Sequence, residues 1–272
     1  MKYWKEIALS LCLVSLFVCA ARRKYMVIMA GEVPIKLVLI KGGEAFIGAA
    51  EDDSLAADDS NPQTQLQLSG FYMGVCEITN AQFEAVMGYV PSEVKAPQCP
   101  VTNVHWPVAV KFCERLGSLT GKNVSLPTEA QWEYACRAGT EAPWYFHPDP
   151  EDYEDYCMMY VTPDEEYLSE WMWYEKNSSN TTHPVGLKKP NPSGLFDMYG
   201  NVEEWCLSDY RPYPYDELDG RNSLDLPSAR RVMRGGSYCD HRGYCNSVQR
   251  QAHDIPLNIG SPSTGMRIVI NE

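Results

Sequence analysis

Apolar and polar positions change rhythm along this chain, and each change marks an element. Residues 35–40, Ile-Lys-Leu-Val-Leu-Ile, are a mostly apolar run of strand length, and Gly42-Gly43 turns it into a second strand around Phe46. Residues 51–63 are polar and read as a loop. Leu66, Leu68 and Tyr72 alternate with polar or small neighbours, the period of one further strand. Helical spacing then takes over. Thr79 is placed to cap a short helix carrying Phe83, Val86 and Met87 and stopped by Gly88. Pro107 opens a second helix, with Val108, Phe112 and Leu116 falling on one face. Thr128 and Gln131 form a capping box for a third over residues 129–137, with Gly139 placed to end it.

Beyond residue 138 periodicity fades and charge becomes the clearer signal. The formal net charge is −13, and the window from Ala138 to Glu175 holds no Lys or Arg but many acids, among them Asp149, Glu151, Asp152, Glu154 and Asp155. These acids lack regular ligand spacing, so the window reads as a solvated loop. After Lys189 the Lys/Arg positions are all Arg, from Arg211 to Arg267, the side chain suited to rigid bidentate pairing inside a loop-rich fold. An acidic total disfavours nucleic acid, because that binding needs clustered cations to displace counterions. With 44% hydrophobic and 22% charged residues, the chain has the balance of a packed globular protein.

The first segment reads as a signal peptide or membrane anchor over residues 1–21: Lys2 and Lys5 precede an apolar run that ends near Val18 and Ala20. This predicts an exported protein whose only membrane contact is that segment. Arg22, Arg23 and Lys24 follow as a positive flank, and a start at Met26 or Met29 would instead leave the chain cytoplasmic. Leu16-Phe17-Val18 is a poor lipobox for Cys19. Without Cys12 and Cys19, eight cysteines remain: an even set that invites disulfides without selecting a pairing. Cys113 and Cys136 fall within helical segments and read as small buried hydrophobes.

Several segments, in one order, carry a resemblance. Cys76-Glu77-Ile78-Thr79-Asn80, Pro100 to Trp106, and Leu126-Pro127-Thr128-Glu129-Ala130-Gln131-Trp132-Glu133-Tyr134-Ala135 are similar to "EVTN", "PV.NVSW" and "LPTEAEWEYA" of the formylglycine-generating enzyme family, the sulfatase-modifying-factor domain. His183-Pro184-Val185-Gly186, the "GLFDMYGNVEEW" block ending at Trp205, "RVMRGGSY" from Arg231 to Tyr238, and Gly265-Met266-Arg267 continue it, so that one domain spans about 33–270. The resemblance implies an α+β, C-type-lectin-like fold, loop-rich, with small sheets and about three helices. It also implies a Ca²⁺ site with Asp197 and Glu204 as side-chain ligands and the carbonyls of Gly200 and Val202 between them, the oxygen donors Ca²⁺ takes.

For catalysis the resemblance implies a Cu(I)-binding cysteine pair just after "GGSY" that activates O₂ to oxidise a substrate cysteine. Cu(I) favours two soft thiolates. Cys245 matches the second cysteine, but Asp240 stands at the first and Cys239 lies one residue early. In extended chain that step turns a side chain to the opposite face unless a bulge restores it. Glu203 replaces the family's aromatic in "NxWEW". The readings are therefore a non-catalytic ligand-binding or accessory protein, including the diversified receptors among bacterial and phage relatives, or a formylglycine-generating oxidase. In the first, Tyr238, Asp240, His241, Tyr244, Asn246 and Glu203 form the surface for a protein or small-molecule ligand. In the second, Cys239, Cys245 and Ser237 act on a sulfatase polypeptide.

Overall fold

The computed structural model describes residues 25–49, 58–146, 165–224, 230–254 and 260–271. Its first strand, β1 (Tyr25–Ala30), pairs antiparallel with β2 (Val33–Ile40) and contains both Met26 and Met29, so a chain begun at Met29 loses most of this strand. Residues 1–21, the acidic cluster at 149–155 and Cys157 lie outside the described residues.

The expected second strand is β3 (Gly43–Ile47). Leu66, Leu68 and Tyr72 do not share one strand as their alternation predicts. Ser69-Gly70 divides them between β4 (Thr64–Leu68), which pairs with β3, and β5 (Phe71–Gly74), which is buried at every position and joins β2. The first helix, α1 (Asn80–Met87), has the predicted Thr79 cap, with Gln82 completing a capping box and Gly88 closing it in the left-handed conformation. The second, α2 (Trp106–Thr120), buries Phe112 and Leu116. After the short β6 (Val124–Ser125) comes α3 (Glu129–Arg137), capped by Thr128 and Gln131, but Ala138 rather than Gly139 takes the left-handed closing position. A fourth helix, α4 (Glu165–Ser169), lies within the predicted acidic loop, anchored by the buried Leu168.

The remaining strands are β7 (Glu203–Asp209), β8 (Arg230–Arg234), β9 (Arg250–Asp254), β10 (Thr264–Gly265) and β11 (Val269–Asn271). One sheet runs β1-β2-β5-β11-β6, a second runs β10-β7-β8-β9, and β3-β4 forms a third. The five-stranded sheet is covered on both faces, which is why residues 35–40 read as nearly continuous apolar sequence. Ile35 and Leu37 pack with Phe83, Phe112 and Leu116, while Val38, Phe71 and Met73 pack with Trp132, Trp144 and Tyr199. The result is the α+β, loop-rich architecture the sequence predicts. Among the described residues the seven cysteines are all free thiols, and Cys113 and Cys136 are buried as expected.

Candidate functional site

Strand alternation sends Glu204 and Glu203 to opposite faces of the four-stranded sheet. On one face lies a closed ionic network. Arg267 Nε lies 3.0 Å from both Glu204 carboxylate oxygens, and Trp132 Nε1 donates to the same group at 2.8 Å. Arg234 reaches Glu133 at 2.6 Å and Glu129 at 3.1 Å, while Arg250 grips Glu129 with two bonds of 2.8 and 3.0 Å. Burial works against the Arg234 charge, but Glu129 and Glu133 more than offset it and raise its pKa. Arg234, Arg250 and Arg267 are thus internal carboxylate partners of the kind their residue type predicts.

The β8 strand then enters Gly235-Gly236. A Cβ on Gly236 would meet Cys245 Sγ at 2.7 Å, and its φ of +68° is one that L side chains rarely adopt, so glycine is what lets the chain wrap over that thiol. Residues 237–240 form a turn, with Asp240 N donating to Ser237 O at 3.2 Å. The segment is therefore not extended, and its facing is set by the turn. The Asp240 carboxylate folds back to accept from Ser237 N at 2.9 Å and Ser237 Oγ at 2.6 Å. Cys239 is exposed, its Sγ 3.3 Å from Ser237 Oγ. Cys245 is fully buried, its Sγ 3.8 Å from Ser237 O.

These residues do not fit a Cu(I) bis-thiolate. Burial holds the Cys245 thiol well above its usual pKa, and the Asp240 and Glu203 carboxylates push it further, so the field opposes the thiolate such a site needs. Asp240, at the family's first cysteine position, is bound to Ser237.

The predicted ligand surface divides in two. Asp240 and Tyr244, with Gln249, Gln251 and Ala252, line an open groove of about 430 Å³. His241 is exposed, and its Nδ1 accepts from Gly243 N in a 3-10 turn over Arg242–Tyr244. Tyr238 and Asn246 are largely buried instead. Tyr238 is buried, its N–H bound to Asn201 O and its carbonyl to Ser178 Oγ. Asn246 is fully buried; its Oδ1 accepts from Val248 N and Gln249 N, and its Nδ2 donates to Gly243 O. An Asn with three of its four amide hydrogen bonds made to backbone shapes the loop. Glu203 sits beneath the groove, 7% exposed, with Oε1 lacking any hydrogen-bond partner. Burial and then Asp240 push its carboxyl up to about 8, while the Gln251 amide, which lines the groove, pulls it partway back.

At the proposed calcium ligands, Gly200 (φ +76°) lets the chain run against Trp173, whose carbonyl would stand 1.9 Å from any Cβ there. Asp197 Oδ2 accepts from Gly186 N at 2.7 Å, but its buried Oδ1 has no partner. Glu204 is turned onto Arg267 and Trp132. Glu77, which the sequence reading did not single out, completes the group: it accepts from Asn201 Nδ2 at 2.8 Å and Val202 N at 3.2 Å. Its signal in sequence was an acid set between Val75 and Ile78, both buried, at the mouth of α1. Burial raises Asp197 to about 6, and burial with repulsion from Asp197 and Glu204 raises Glu77 well above the carboxylate range. Among the described residues no three acid, His or Cys side chains stand ready as a chelating set. The charge and the orphaned Asp197 oxygen nonetheless suit a cation, since three buried carboxylates share the Arg267 guanidinium.

Comparison with known proteins agrees with this architecture. The model of the Sulfatase-modifying factor enzyme 1-like domain matches residues 29–272. The chain is 27% identical to Chaperone protein LppX of Paenibacillus barcinonensis, over 86% of this chain and 88% of that one. It is 26% identical to the Formylglycine-generating enzyme of Bos taurus, over 78% of this chain and 68% of that one. The solved structure of Treponema denticola variable protein 1 superposes with a TM-score of 0.72 at 25% identity, covering 91% of this chain and 99% of the other.

Proposed function

Because the chain belongs to the sulfatase-modifying-factor family, we propose that it is an exported, non-catalytic ligand-binding or accessory member that uses the groove beside Asp240 and Tyr244. The observation that carries this reading is the bond of the Asp240 carboxylate to Ser237 N and Oγ, at the position where the family's oxidases present a cysteine. Function on such a scaffold is grafted onto loops, so the loss of one catalytic residue leaves the surface available for recognition. Likeness to Treponema denticola variable protein 1 and to Chaperone protein LppX supports a binding or assisting role. The apolar N-terminal segment supports export, and the acidic balance supports a protein or small-molecule ligand over nucleic acid.

The oxidase reading rests on both sulfurs reaching one residue, Cys239 at Ser237 Oγ and Cys245 at Ser237 O. The test is direct. Copper-loaded protein incubated under O₂ with a Cys-x-Pro-x-Arg peptide should leave the peptide mass unchanged; conversion of its cysteine to formylglycine, abolished in a Cys245→Ser variant, would replace the binding reading with the oxidase.

A Ca²⁺ ion in this reading is held by Asp197 with the carbonyls of Gly200 and Val202. Glu77 and Glu204 supply the negative field, and the ion relieves the repulsion among the three acids.

A further inference from the structure

From the geometry around Glu203 we propose that the groove takes a cationic nitrogen donor, a guanidinium or primary ammonium group, which enters between Asp240 and Gln251 and pairs with the Glu203 carboxylate. This rests on the binding reading above and names its ligand chemistry.

Three observations carry it. Glu203 Oε1 is buried and accepts no hydrogen bond, an arrangement that is costly when left unmet. The adjacent Thr264, its register partner across the parallel β7–β10 contact, is 1% exposed, and its hydroxyl also has no partner. Paired positions of parallel strands project to the same face, so the two groups without partners lie on one face of the sheet. Third, the groups arrayed around them are acidic or neutral. Asp240 comes from the turn after β8, Cys245 from the end of the 3-10 turn that follows, and Gln249 and Gln251 from the β9 edge; among the described residues the charged side chain acting on Glu203 is Asp240. Tyr244, half exposed, adds an aromatic wall against which a guanidinium can stack.

The contrast with Glu204, Glu129 and Glu133 gives the chemistry its sign. Glu204, Glu129 and Glu133, buried on the opposite face of the same sheet, are each met by an Arg side chain. Glu203 lacks that internal cation, and the two side chains that act on it, Asp240 and Gln251, line the open groove. A planar guanidinium satisfies Oε1 and reaches Asp240 or the Gln251 amide oxygen with its remaining donors, a match to its fixed fork of N–H groups. A neutral donor would fill the bond but leave the Asp240 charge uncompensated, whereas a cation would also favour release of the proton that burial keeps on Glu203. An anion would be repelled by Asp240.

The probe is a short capped peptide, acetyl-Gly-Arg-Gly-amide, titrated into the full chain by NMR or calorimetry. Its Lys and Gln counterparts serve as the ammonium and neutral arms. The Arg or Lys peptide should bind at least about tenfold more tightly than the Gln peptide, and Glu203→Gln should remove that preference, as expected for one charge-assisted buried bond. Asp240→Asn should lower it less. Equal binding of Arg, Lys and Gln peptides, no detectable binding of any, or a preference unchanged in Glu203→Gln overturns the inference. Melting curves of each variant separate lost recognition from lost folding, and Thr264→Val, which removes the hydroxyl at nearly constant shape, provides a second variant if Glu203→Gln fails to fold. None of the probes contains cysteine. Failure here with an unconverted sulfatase-type peptide overturns the cation site alone, whereas formylglycine formation overturns the binding reading beneath it.

Discussion

Glu203 and Glu204 are neighbours on one strand and buried to similar depth, yet one carboxylate is closed and the other open. Glu204 accepts from Arg267 and Trp132, which also tie β7 to α3 and to the chain just before β11. Glu203 has an oxygen with no partner, an acid beside it and a groove above it. The depth of burial does not distinguish them; the difference lies in whether the fold supplies a cation. Buried charges stay charged when paired, whereas an unpaired one shifts its pKa toward neutrality, and Glu203 does so. Asp209, further along the same strand, is paired with the buried Arg231, so Glu203 is the β7 carboxylate that the fold leaves without an internal cation.

The largest effect should come from breaking the closed side. Glu204→Gln leaves the buried Arg267 without the carboxylate it is bonded to, which should cost about 3–5 kcal/mol of stability, read from urea unfolding. A loss below about 1 kcal/mol would mean that the pair is dispensable and that the contrast drawn above is one of appearance. Next in size is the pH dependence of the open side. The Glu203 carboxyl is raised from 4.5 to about 8 by burial and Asp240, so the folded chain holds a proton that the unfolded chain has released. Its contribution is fully present below pH 4.5 and is lost as pH rises through about 8. The natural chain should therefore weaken over that window by up to about 1.4 kcal/mol per pH unit from this group. Glu203→Gln should lack that component, so the variant gains on the natural chain from pH 5 to pH 8.5. Parallel pH profiles for the two would show that Glu203 titrates as an ordinary acid.

Much of the scaffold was legible because its signals are local. The Thr79 and Thr128 caps, Gly88 and the Phe112/Leu116 stripe each act within a turn or two of helix, and all stand where the sequence put them. What escaped depends on distant partners. The split between β4 and β5 follows from which sheet each joins, and the alternation of Leu66, Leu68 and Tyr72 carries no record of that. The site was legible by position but not by role. Asn246 sits in the loop expected to bind a ligand, yet it is fully buried and its amide bonds two backbone N–H groups and a carbonyl. Cys239 looked displaced by a strand register, whereas a turn governs its direction. Glu77 was passed over because its importance comes from Asp197 and Glu204, far along the chain.

Glu77 and Asp197 form a case between the two neighbours, and they supply the smallest prediction. They share Arg267 with Glu204, so their local charge is neither closed nor left to a groove. Two remedies exist: protonation, which the raised pKa values express, or a cation. If Ca²⁺ is the remedy, it binds the folded chain alone and stabilises by mass action, about 1.4 kcal/mol at ten times its dissociation constant. Melting curves with Ca²⁺ and with chelator should then differ, and Asp197→Asn should shrink the difference because it removes the charge beside the orphaned oxygen. The sign of the pH dependence separates the remedies. With Ca²⁺ bound the carboxylates stay ionised, so the calcium-dependent gain should grow as pH rises through about 6, the point at which free Asp197 releases its proton. Identical curves with and without Ca²⁺ across that range would leave protonation as the way this cluster meets its excess charge, and would remove the ion from the account of the fold.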